Sequence, residues 1–201
     1  MNIKIENYLV QKERWPQSGK HIMAQYDDES IIVYQAYRPA IGKFAAKKQY
    51  FGGEYKFSRM SWIKPNFLWM MYRSGWGSKP GQEITLAIRL KKEFFDNILV
   101  NAFPSSNYIG LDNKEFTKRV KETNVRLQWD PDHNPHGGKE ERRAVQLGLR
   151  NEFLEPFKGD GIVEITDISD FVREQREHVR SNSLDKLMTP AEEVYEHSME
   201  Y

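Results

Sequence analysis

The chain has 201 residues and 23.8 kDa, the size of one ordinary domain, with 30 Lys plus Arg against 29 Asp plus Glu. Aromatics at 13% offset a modest aliphatic content, which argues for a packed core and against wholesale disorder. There are no cysteines, which excludes a disulfide framework, thiolate metal sites, iron–sulfur clusters and a cysteine nucleophile.

No run approaches the ~20 apolar residues that cross a bilayer, and the segment MNIKIENYLVQKERW has no apolar core and no small-residue cleavage site. A soluble, cytoplasmic protein without a membrane partner is expected. In chain order, residues 21–37 read as two short strands around a polar turn at Asp27–Ser30, with Ile31 to Val33 β-branched. Pro39 suits the first turn of a helix whose inner face is Ile41, Phe44 and Ala45, stopped by Gly52 and Gly53. Residues 57–63 read as extended. Pro65 then opens a helix to about Arg73, apolar nearly all round and therefore buried, with Gly75 as its C-terminal stop.

EITLAIRL (83–90) alternates as a strand, and residues 91–101 form a helix with Phe94, Phe95, Ile98 and Leu99 inward. Asp112 and Glu115 signal a helix to about Asn124. VRLQW (125–129), RRAVQLGL (142–149) and GIVEIT (161–166) read as strands, with DPDHNPHGG a loop. The last 35 residues read as helical, with a capping box at Thr189 to Glu192. The expectation is an α+β fold: a single domain over residues 1–180, with residues 181–201 its acidic helical extension.

Charge is distributed unevenly. Residues 1–80 carry 13 basic and 6 acidic side chains, residues 81–201 carry 17 and 23. Residues 36–80 hold 9 basic side chains against Glu54 alone, together with 11 aromatics. Arg38, Arg59 and Arg73 sit among Tyr37, Tyr55, Trp62, Tyr72 and Trp76, an arrangement suited to a phosphate-bearing ligand with stacking rings. The plainer alternative is that the rings are core and the lysines a solvated face. Gln35 to Arg38 fall at a strand-to-helix junction, where free backbone N–H groups and the helix dipole attract anions.

The loop DPDHNPHGGKEE places Asp130, Asp132, Asn134 and Glu141 at calcium-loop spacing, but Pro135 occupies the position that needs glycine. A transition metal on Asp130, Asp132, His133 and His136 is the competing possibility, and polar turns beside prolines are the ordinary one; no metal is favoured. No G-x-S-x-G, P-loop, G-x-G-x-x-G or H-E-x-x-H occurs.

YQAYR (34–38), FSRMSWIKPNFLWMMYRSGW (57–76) and QWDPDH…RRAVQLGL (128–149) together resemble a domain-of-unknown-function family marked by its QAYR motif, over about residues 14–175. More distantly, the order of motifs resembles the ADP-ribosyltransferase fold, with split antiparallel sheets flanked by helices. That resemblance implies NAD as cofactor. Gln35 and Arg38 fall in the first NAD-gripping motif, and Ser58, Arg59 and Ser61 in the middle one. Tyr72 or Trp76 would stack on a ring, and Gln146 stands where the catalytic acid is usual. Glutamine accepts a ribose hydroxyl's hydrogen bond but cannot take its proton. Asp130, His133, Glu140 or Glu141 would then supply the base, or transfer would be weak. The implied activity is ADP-ribose transfer to RNA, DNA or a nucleotide-bearing acceptor. A non-enzymatic single-stranded nucleic-acid binder and a metal-dependent hydrolase at Asp130–His136 are the alternatives.

Overall fold

A computed structural model describes residues 3–197. A short strand β1 (Ile5–Asn7) and helix α1 (Tyr8–Arg14) are followed by β2 (Gly19–Lys20), β3 (Met23–Ala24) and β4 (Ser30–Tyr37). Then come α2 (Pro39–Lys48), β5 (Ser61–Ile63), α3 (Phe67–Ser74), β6 (Ile84–Lys91), α4 (Lys92–Val100) and β7 (Ala102–Pro104). The second half holds α5 (Asn113–Glu122), β8 (Val125–His133), β9 (Lys139–Leu149), two 3₁₀ turns, β10 (Ile162–Asp167), α6 (Ser169–Arg180), β11 (Met188–Pro190) and β12 (Glu193–Val194).

Two larger sheets organise the chain. One is antiparallel in the order β10-β6-β4, with Tyr34 opposite Ala87. The other runs β2-β9-β8-β7, with β5 also paired to β9. The fold is α+β, but the second sheet is mixed: β2 lies parallel to β9 and β7 parallel to β8, against an expectation of antiparallel sheets throughout. Alternate residues of β4 explain its run of apolar side chains. Ile31 and Val33 join a core with Leu127 and Leu147 of the second sheet. Ile32 and Tyr34 face the other way, into a cluster with Phe67 and Met71 of α3 and Val172 of α6. A strand buried on both faces has no polar face to show.

Local chemistry sets the helix ends. α2 stops three residues before the expected glycines, with Gln49 in the left-handed region at φ 63°. The Gln49 side chain accepts from Ile165 N and donates to Ile165 O, clipping the helix end to β10. Gly42 allows α2 to lie close on β6, since a Cβ there would come within 2.4 Å of Ile84 Cγ2. α3 begins after Asn66, whose side chain accepts from Trp69 N at 2.6 Å, and ends at Gly75 with φ 58°, as the sequence requires.

The C-terminal segment departs most from expectation. Among the described residues no helix follows α6. Instead β11 pairs with β1 and β12 with β3, so residues 188–194 are built into the body of the domain rather than forming a helical extension. Residues 198–201 of that expected extension lie outside the described residues. The sequence Thr189-Pro190-Ala191-Glu192 does cap a helix, but a distant one: the Glu192 carboxylate accepts from Phe67 N at 2.7 Å, at the first turn of α3. The Glu192 backbone accepts from Trp15 Nε1 and donates to Gln11 Oε1.

Glu192 is fully buried, and that burial raises its pKa well above the ordinary carboxylate value against the opposing hydrogen bond from Phe67 N. The native state therefore keeps a proton that the unfolded chain has released above about pH 4.3, and this group's contribution to stability falls as pH rises toward the raised value. Urea melts of the wild type and Glu192→Gln should show the wild type losing ground to the variant as pH rises above the ordinary carboxylate range. A gap between them that does not change with pH would contradict this.

Candidate functional site

The two sheets meet at a seam. Tyr34 on β4 and Lys64, one residue past β5, exchange backbone hydrogen bonds at 2.7 and 3.3 Å. One residue along, the Gln35 side chain is buried and its amide donates to Ser61 Oγ at 2.7 Å and to Trp62 O at 3.1 Å. Beyond this point the sheets part, and a cleft of about 480 Å³ opens between the end of β4, the start of α2 and the residues leading into β5. Its size falls in the range of small-molecule sites.

The floor is a hydroxyl cluster. Tyr37 Oη lies 3.0 Å from Ser61 Oγ, and the Tyr55 hydroxyl is beside that pair without a hydrogen bond of good geometry. Burial raises both phenols, Tyr37 well above its ordinary value, so both remain protonated donors at neutral pH. Gln35 Oε1 is likewise buried with no partner among the described residues. Buried polar atoms without partners are uncommon enough to mark a place where a ligand or water belongs.

The walls are cationic. Arg38, Lys56, Arg59, Lys64 and Arg73 line the cleft, with Glu54 the acidic side chain among them. Glu54 pairs with Arg38 at 2.5 Å across an exposed rim. The first turn of α2 also opens here, through Arg38 and Ile41. Lys64 is only 6% exposed, its Nζ donating to Trp62 O at 3.3 Å. Burial, with help from the Arg73 guanidinium and against the pull of the Asp130 carboxylate, lowers its pKa to about 8.

Of the residues singled out in the sequence, Gln35, Arg38, Arg59 and Ser61 converge on this cleft. Ser58, Tyr72, Trp76, Asp130, His133 and Gln146 do not line it. Trp76 is a core residue, donating its indole N–H to Pro135 O and packing edge-on against Phe67. Tyr72 stacks on His133 with ring centroids 3.5 Å apart, and Trp69 lies parallel to both. Burial lowers the His133 pKa, keeping the ring neutral.

Gln146 sits opposite Gln128 on the β8–β9 hairpin. The two amides each donate, at 2.8 Å, to one oxygen of Asp130, so the carboxylate offered as a base is already bracketed. Extending the β5–β9 register by one residue sets Lys64 level with Gln146. Gln146 itself does not line the cleft.

The Asp130–His136 segment is structural in its bonding. Asp132 is completely buried and takes two guanidinium N–H donors from Arg142, at 2.8 and 2.5 Å, plus His133 N. Glu140 borders a small hollow beside Arg142, and Glu141 is exposed. Among the described residues no group of three or more His, Asp or Glu is arranged to hold a metal ion.

Lys64, Tyr37 and Tyr55 also line the cleft; the sequence offered the two tyrosines as stacking rings among the arginines, and Lys64 only as one of the nine basic side chains of residues 36–80. The available signal for Lys64 was a solitary charge between Trp62-Ile63 and Pro65-Asn66-Phe67, where a lysine has little chance of reaching water.

Fold and cleft together define an α+β protein with a cationic, ring-lined cleft at a sheet junction. The chain belongs to the family described as Domain of unknown function (DUF4291), whose family model matches residues 21–195. That match reaches through β12, in keeping with a C-terminal segment that is part of the domain. Comparison with curated proteins finds no match. No helix among the described residues is long and apolar enough to cross a membrane.

Replacing Gln35 by alanine strips Ser61 Oγ and Trp62 O of a buried donor at the seam. Such a loss costs about 1–3 kcal/mol, which chemical denaturation of Gln35→Ala should register; a change below about 0.5 kcal/mol, the usual scatter of neutral surface substitutions, would mean that the seam does not depend on this side chain.

Proposed function

We propose that the cleft binds NAD or a related nucleotide through its diphosphate, in an ADP-ribosyltransferase-like protein. One observation carries this reading: side chains from two motifs far apart in the chain, Gln35 and Arg38 from the first and Arg59 and Ser61 from the second, meet in a single cleft whose walls hold five cations and one carboxylate. Guanidinium groups offer paired N–H donors to phosphate oxygens. The rings of Tyr37, Tyr55 and Trp62 give flat surfaces for a base or nicotinamide, and Gln35 Oε1 is an acceptor for a ribose hydroxyl. The cation-rich surface continues over exposed Lys43, Lys47 and Lys48 of α2, which suits a nucleic-acid or nucleotide-bearing acceptor approaching the same side.

With Gln146 and Asp130 hydrogen-bonded to each other outside the cleft, the group that would accept a proton during transfer is not the one the motif order suggests. Ligand binding therefore tests the proposal more directly than turnover.

Thermal-shift and calorimetric titration with NAD and ADP-ribose should give saturable stabilisation of the wild type. Arg59→Ala, which breaks no ion pair among the described residues, should weaken binding by about 1.5–3 kcal/mol, the worth of a charge-assisted hydrogen bond. Absence of stabilisation by either nucleotide at millimolar concentration would remove the reading. If single-stranded oligonucleotides bind instead, with log affinity falling by about 0.7 per phosphate contact per log salt, the non-enzymatic binder takes its place.

A further inference from the structure

Lys64 combines four properties that solvated lysines lack. It lines the cleft, yet the residue is 6% exposed. Its backbone is fixed on both sides, by the two hydrogen bonds to Tyr34 and by Pro65. Among the described residues its amine has no carboxylate within ion-pair distance, and its one hydrogen bond, to Trp62 O, is long at 3.3 Å. Burial opposes its protonation most, the Arg73 guanidinium adds to that, and Asp130 on β8 pulls the other way. A desolvated lysine beside another cation is the arrangement that frees an amine lone pair near neutral pH.

We infer that Lys64 is a nucleophile that condenses with the carbonyl carbon of a phosphorylated aldehyde held in the cleft. The inference rests on the reading of the cleft as a phosphate site. The Nζ lone pair attacks the carbonyl carbon, the carbonyl π electrons move to oxygen, and a proton passes from nitrogen to that oxygen to give a carbinolamine. Loss of water leaves an imine between Nζ and the former carbonyl carbon, so amine plus aldehyde balances as imine plus water. The Tyr55 hydroxyl and Gln35 Oε1, both unpartnered on the floor, are a donor for the carbonyl oxygen and an acceptor for a neighbouring hydroxyl. ADP-ribose belongs to the same ligand class, because its open-chain form carries an aldehyde together with a diphosphate.

The test uses the full chain and pyridoxal phosphate, which joins an aldehyde to a phosphate, at neutral pH. Borohydride then reduces the imine to a stable secondary amine, and peptide mass spectrometry locates it. Lys64 should be marked more than about tenfold faster than the exposed Lys43, Lys47 and Lys48, since each unit of pKa depression raises the free-amine fraction about tenfold. Arg59→Ala should slow marking by pyridoxal phosphate but not by pyridoxal, and Lys64→Arg should abolish the adduct. Marking confined to surface lysines overturns the inference, as does marking of Lys64 that ignores the phosphate. If ADP-ribose stabilises the protein and Lys64 stays unmarked, the cleft reading survives and the nucleophile falls. Phosphate-dependent marking of Lys64 without stabilisation by any nucleotide keeps the nucleophile and discards the nucleotide.

Discussion

Two sheets that diverge need something to hold them where they part, and here it is the backbone exchange between Tyr34 and Lys64 with the Gln35 amide clamped over Ser61 and Trp62. The bonds are buried, so water does not compete for them, and leaving any of the groups unpaired would carry the full penalty of desolvation. Everything at the site follows from that junction. It turns β4 into the first turn of α2, places Ser61 against Tyr37, and fixes the backbone from which Lys64 projects. The cleft is the space the junction leaves open.

The same junction sorts the cations. Those on the rim, such as Arg38 with Glu54, remain half-exposed and share their charge with solvent. Lys64 lies behind them and is shielded. A field built from shielded and unshielded charges of one sign attracts an anion from a distance and then holds it in a region of low polarisability, where each hydrogen bond counts for more. Asp132 and Arg142, by contrast, pair with each other, with His133 N on the second carboxylate oxygen and Pro16 O on the Arg142 Nη1. Two buried charged sites in one domain thus have opposite characters, one closed and one open.

Much of this was legible in the sequence where the signal was local. Pro39, the alternation of residues 83–90 and Gly75 with its left-handed turn all act within a few residues of themselves, and the corresponding elements stand where they were read. Convergence of Gln35, Arg38, Arg59 and Ser61 was implied by the resemblance in motif order, with Arg38 and Arg59 also marked by a segment crowded with rings and cations. The rest depended on partners far away. Glu192 looked like the end of a capping box for its own helix, and it caps one instead across 125 residues. Gln146 looked available, but its amide already donates to Asp130, the carboxylate it shares with its cross-strand neighbour Gln128. Trp76 had the composition of a stacking ring, and only packing against Phe67 makes it core. Residue type alone cannot distinguish a side chain that waits for a ligand from one already bonded inside the fold.

Glu192 also bears on how the molecule assembles. A helix near the first third of the polypeptide has its opening amide answered by a carboxylate from near the other end, and strands at the two extremities zip together alongside it. β1, β3 and the start of α3 therefore cannot complete these contacts until residues 188–194 are present, and the entropy of closing so large a loop must be met before the contacts contribute anything. Non-local pairing of this kind slows folding.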